Sequence, residues 1–264
     1  MKLIKSLFTP KPVIDADTKA WLFDCVAWAI TEFGHQTFQQ HTCLVLPNNK
    51  YYPGRVDSIE GMAQNIFAKT VEYSNMQHWP LLLVNPQQWQ GHQVPTIRCS
   101  GQLRDNNSQI LLPDHLNIIQ IGYNPSQVNQ PQDMIATLVQ QLASVLIRAS
   151  QSTPPGGQNM IPAAIDVLSC IMGFGVMFAN TAYQFRGGCG SCYNPHANRQ
   201  AILPENDMLY ALAIFCVLKQ VPVSEVTTHL KAHLRSVFKA MHKDVSKTLN
   251  QSQGHALQLI YQQG

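Results

Sequence analysis

Three side chains near residue 190 have the types and spacing of a metal half-site. Cys189, Cys192 and His196 read C-x₂-C-x₃-H in a glycine-bearing stretch, and zinc accepts thiolate and imidazole donors. A structural zinc takes four ligands, yet no second C-x-x-C and no obvious fourth partner follows, so an ordinary loop is the competing reading. Thiol–disulfide exchange of the thioredoxin kind would need the motif to open a helix after a strand, and it does not. His229 and His233 lie four apart, so on one helix their rings would share a face and could converge on a metal. No Glu follows His229, and Lys231 and Arg235 beside the pair fit a solvated face. The sequence holds no glycine-rich phosphate loop, no G-x-S-x-G elbow and no local Cys-His catalytic signature.

The remaining place for chemistry is an apolar stretch, residues 134–147, that carries polar side chains at Gln140, Gln141 and Ser144. In H-E-x-x-H, two histidines one turn apart bind zinc and the Glu between them activates a water. Here an amide, a second amide and a hydroxyl stand at those three positions. Neither amide nor hydroxyl is a zinc ligand of that kind, and a neutral Gln has no carboxylate to serve as base.

The elements that must position these residues change character along the chain. Asp15 or Asp17 caps a helix with Leu22, Cys25, Val26, Ala29, Ile30 and Phe33 at three-four spacing, and Gly34 stops it. Trp21 and Trp28 share a face of it, suited to packing inside the chain or against a second copy. Residues 42–46 read as a short strand, and Asp57 with Glu60 as a capping box opening a second helix. Strands are expected at 80–84, 96–103, 110–112 and 115–123, with Asp105, Asn106 and Asn107 as a turn. From residue 133 only helices are expected, over 133–149, 161–183, 205–219 and 224–249. The fold class is therefore α+β. A mixed α/β lobe with a small sheet spans 1–125, a helical lobe 126–250 and a Gln-rich tail 251–264, one compact domain overall.

Composition limits the function classes. Charged residues make up 12% of the 264, so amides and hydroxyls must wet the surface. A net charge of +3 is too small to argue for nucleic acid, and the basic run 231–247 lacks stacking aromatics beyond Phe238. Residues 161–179 approach the about 20 apolar residues of a membrane span, but Asp166 lies among them, and a buried core helix is expected instead. Lys5, Pro10 and Pro12 break up the first apolar residues, and seven cysteines at irregular spacing suit reduced thiols. A cytoplasmic protein follows.

Several stretches taken together resemble a bacterial family of uncharacterised HELAH-type zinc peptidases with a zincin-like fold. They are residues 20–28, the pair Leu46 and Pro47 with Tyr51, Tyr52 and Pro53, residues 136–138, Asp166 with Val167 and Leu168, residues 172–180, Arg199 with Gln200, and residues 210–215. The resemblance covers most of the chain. It implies that Gln140 and Ser144 replace the two His ligands, Gln141 the Glu base, and Pro162 a third, Glu ligand. It also implies that Asp166, Asn180 and Arg199 are retained. Asp166 could orient a neighbour as a carboxylate beside a metal does, or pair with Arg199, since a buried charge needs a partner. The expected function is a non-catalytic pseudo-enzyme, without cofactor, that binds a protein or peptide through the old cleft. Two alternatives stand beside it: a hydrolase relocated to Cys189, Cys192 and His196, and an immunity-type partner of a toxin.

Overall fold

Asp15 starts the first helix, its carboxylate accepting from Thr18 N at 2.9 Å. The structure is a computed structural model and describes residues 14–54, 56–87, 97–113, 118–182, 197–251 and 257. Helix α1 (Ala16–Glu32) gives way at Gly34, whose φ of 110° is open to glycine, to a short α2 (His35–Gln40) not expected from the sequence. Helix α3 (Ile59–Tyr73) is capped by Ser58, which accepts from Gly61 N at 3.0 Å; the expected box of Asp57 and Glu60 is set one residue off.

The sheet content is small. Strand β1 (Leu81–Val84) pairs in parallel with β4 (Ile119–Gly122), and β2 (Arg98–Ser100) pairs antiparallel with β3 (Gln109–Leu111). Ser108 N donates to Asp105 O at 2.9 Å, closing the turn expected between β2 and β3. Residues 42–46 form no strand. They run as an extended connection whose Val45 N donates to Gly173 O at 2.9 Å.

From α4 (Pro131–Ala149) onward the described residues are helical or loop. The apolar run 161–183, expected as one helix, is broken. It consists of α5 (Ile161–Ser169), a π-type turn (Cys170–Phe174) and α6 (Gly175–Ala182). Gly173 makes the break at φ 105°, and a side chain there would run into the Cys43 carbonyl. This is the one segment among the described residues long and apolar enough to cross a membrane, and 78% of its most apolar window is buried inside the fold. Helix α7 (Glu205–Leu218) is buried from Met208 to Leu218 and packs against α1, α6 and the last helix. Residues 224–249, also expected as one helix, are two: α8 (Val223–His229) and α9 (Leu234–Gln251), divided where Leu230 leaves helical geometry at ψ 147°.

A single apolar cluster joins both halves, from Leu22 and Val26 through Leu142, Leu146, Ile171 and Phe215 to Phe238 and Leu249. Each such Leu, Ile or Phe, fully buried, contributes about 1.5–3 kcal/mol of transfer free energy. Trp21 and Trp28 are committed within the chain. Their indole nitrogens donate to Pro155 O and Ser152 Oγ, both at 2.9 Å, pinning the loop after α4. The architecture is mixed α/β, largely helical, with two small sheets among the described residues.

Candidate functional site

Helix α4 buries Leu138, Val139, Leu142, Ala143, Val145 and Leu146 and leaves one polar stripe half-exposed. Thr137, Gln140, Gln141 and Ser144 lie on that stripe because residues three and four apart share a helix face. The stripe floors a cavity of about 700 Å³. Pro162 and Ile165 from the start of α5 form one wall. Gly122 to Asn124 and Gln127 beyond β4 form the second, and Asn198, Gln200 and Ile202 the third. The four positions that the resemblance assigns to a metal centre, Gln140, Gln141, Ser144 and Pro162, thus line one cavity.

Hydrogen bonds already occupy much of this polar surface. Gln140 Nε2 donates to Asp166 Oδ1 at 2.8 Å and to Gln200 O at 3.0 Å. Gln141 grips the end of β4 with both atoms of its amide, Nε2 donating to Gly122 O at 2.7 Å and Oε1 accepting from Gly122 N at 2.9 Å. That is how a peptide group of a neighbouring strand would satisfy Gly122. Gln127 is 1% exposed; its Nε2 donates to Thr137 Oγ1 at 2.9 Å, while its buried Oε1 has no partner among the described residues. A buried acceptor left so costs about 1–3 kcal/mol.

Behind the cavity Asp166, fully buried, holds the wall together. Oδ1 accepts from Arg199 Nη1 at 3.1 Å as well as from Gln140, and Oδ2 from Ile202 N at 3.0 Å and Leu203 N at 3.1 Å. Arg199 also donates to Thr181 Oγ1 at 3.0 Å and Phe178 O at 3.3 Å, and its guanidinium lies 4.2 Å above the Phe178 ring. Burial lowers the Arg199 pKa more than the adjoining Asp166 raises it, with the net direction down. Asp133 accepts from Arg199 N at 2.8 Å, yet burial keeps its pKa above the usual carboxylate value. Asn180 stands apart from the cavity. It donates to Gln132 Oε1 and His229 O, both at 2.9 Å, and accepts from Lys231 N, fastening α6 to the α8–α9 link.

The two histidines do not form a pair on one helix. His229 ends α8, and His233, beyond the break, contacts Glu205 Oε1 at 3.0 Å through Nε2. Cys189, Cys192 and His196 lie outside the described residues. Among the described residues no three His, Cys, Asp or Glu side chains gather as a metal site would require. Gln127, Asn198 and Tyr123 line the cavity without any local motif to announce them. Tyr123 and Gln127 come from the connection after β4 and Asn198 from a stretch far along the chain, and only Pro125, opening the 3₁₀ turn Pro125–Gln127, marks a change of direction there.

The fold and cavity define a mixed α/β protein with an uncharged, amide-lined cleft beside a strand end. No known family, no curated protein and no solved structure matches the chain.

Proposed function

We propose that this chain is a zincin-like scaffold that has lost its metal centre and binds a protein or peptide in the old cleft without hydrolysing it. The observation that carries this reading is that Gln140, Gln141, Ser144 and Pro162 line a single cavity. Three come from one helix and the fourth from the next, as two His ligands, a Glu base and a third ligand would. The donor set does not fit zinc. The Gln140 nitrogen is held by Asp166 and Gln200, Gln141 by Gly122, Ser144 offers a neutral hydroxyl, and Pro162 has no donor at all. No hydrolytic step follows from these groups.

What the cleft offers is recognition of peptide groups. Carboxamides at Asn124, Gln127, Asn198 and Gln200 donate and accept at once, and the cleft adjoins the outer edge of β4. Adding a strand at a sheet edge is a general way to hold an extended chain. A cytoplasmic setting accords with the unpaired, buried thiols of Cys25, Cys170 and Cys216.

The test is reconstruction. A variant carrying Gln140→His, Gln141→Glu, Ser144→His and Pro162→Glu, verified as folded by circular dichroism, is expected to bind one zinc per chain by elemental analysis, and the parent chain less than a tenth of that. A folded reconstruction that binds no zinc would remove the ancestry. A parent chain that holds zinc through the Gln140 helix and cleaves peptides would remove the pseudo-enzyme.

A further inference from the structure

A second cavity, of about 600 Å³, adjoins the first and shares Ser144, Pro162 and Ile165 with it. It continues along α4 to Ile147 and Arg148 and is closed by the loop that carries Ser152 and Thr153. The charge pattern along the joined trough is uneven. Among the described residues, no charged side chain lines the first cavity, and Arg148 is the one charged residue lining the second. Arg148 is exposed, and no ion pair or hydrogen bond to it occurs among the described residues. Glu32 reaches the same loop from α1, where its Oε1 accepts from Ser150 Oγ at 2.7 Å.

Resting on the peptide-binding reading above, we propose that the trough binds the C-terminal end of an uncharged, extended peptide, with the terminal carboxylate on Arg148. Two independent features supply the contacts. At the far end, the unpartnered Gln127 Oε1, in a side chain 1% exposed, needs a donor, and a peptide N–H is one. At the near end, Arg148 supplies a planar fork suited to a carboxylate, with the Ser152 and Thr153 hydroxyls in the same wall. An internal stretch of chain would bring no charge to Arg148, and an acidic body would lie against a first cavity with no cation among its described residues.

The experiment uses two pools of N-acetylated hexapeptides built from Gly, Ala, Ser, Thr, Asn, Gln, Val and Leu. One pool ends in a free carboxylate and the other in a carboxamide, and binding to the full chain is read by calorimetry at low and high salt. The carboxylate pool is expected to bind about fivefold tighter, because the contact is partly exposed, and the advantage should shrink as salt rises. Arg148→Gln should erase the difference between the pools, and Gln127→Leu should weaken both pools alike. Equal binding of the two pools, or a difference that survives Arg148→Gln, overturns the carboxylate assignment while the peptide cleft stands. Absence of binding by either pool overturns the peptide cleft itself.

Discussion

Replacing Asp166 by Ala removes four acceptor contacts at once. Arg199, 1% exposed, would lose the Asp166 carboxylate that faces it, and the N–H groups of Ile202 and Leu203 and one N–H of Gln140 would lose their acceptor. Breaking a buried pair from one side costs about 3–5 kcal/mol, most of it the penalty of the charge left behind. For a chain of this size each kcal/mol lowers Tm by about 2–4 °C, so a fall of roughly 8–16 °C is expected for a loss near 4 kcal/mol. Replacing both partners, Asp166→Leu with Arg199→Met, removes the stranded charge and should cost less than Asp166→Ala alone, although the loop N–H groups stay unsatisfied. Urea titrations followed by circular dichroism measure all three, with slopes compared so that stability changes are separated from changes in the unfolded state. An Asp166→Ala variant within 1 kcal/mol of the parent would refute the reasoning that this carboxylate holds the cleft wall.

Two further outcomes follow from the fold. Gly173→Ala must place a methyl against the Cys43 carbonyl at a positive φ, and a loss of more than about 2 kcal/mol is expected in the same titrations; a smaller loss would mean that the π-type turn tolerates rearrangement. Burial raises the Asp244 pKa, but the Lys19 ammonium and Tyr210 hydroxyl, each at 2.6 Å, outweigh it and hold the pKa below the ordinary 3.8. A carboxyl with a depressed folded pKa adds stability above its unfolded pKa and loses it as pH falls through the folded one. Asp244→Asn should therefore flatten the stability–pH curve below about pH 4, with a cost under about 1 kcal/mol at neutral pH because the side chain is 48% exposed.

Where local pattern and tertiary demand agree, the elements were legible. The three-four spacing of α1 and α4 and the apolar runs of β1 and β4 mark residues that bury one face whatever the neighbours are. The boundaries that failed share a cause. Residues 42–46 look like a strand because they are apolar, yet among the described residues no second strand lies beside them; Val45 N donates to Gly173 O of the broken helix and Thr42 N back to Thr37 O. The run 161–183 looks like one helix because its apolar residues occupy every face, which hides a break made by Gly173. The split at Leu230 is equally silent, and it separates the histidines that continuous helix would have aligned. Within the site, Gln140, Gln141 and Ser144 stood out because amides in an apolar helix are conspicuous. Gln127, Asn198 and Tyr123 are ordinary loop residues until the fold gathers them.

The sequence by itself determined that the chain builds mixed α and β structure, that a polar stripe interrupts an otherwise apolar helix, and that this stripe carries amides and a hydroxyl, which are not zinc ligands. These properties belong to side-chain type and helical period, which are local. Only the tertiary structure decided what the amides do. Gln140 and Gln141 are bound to Asp166, Gln200 and Gly122, residues distant along the chain, while Gln127 keeps an acceptor open. Hydrogen-bond partners are set by which surfaces the packed core brings within 3 Å, and no spacing within one helix encodes that.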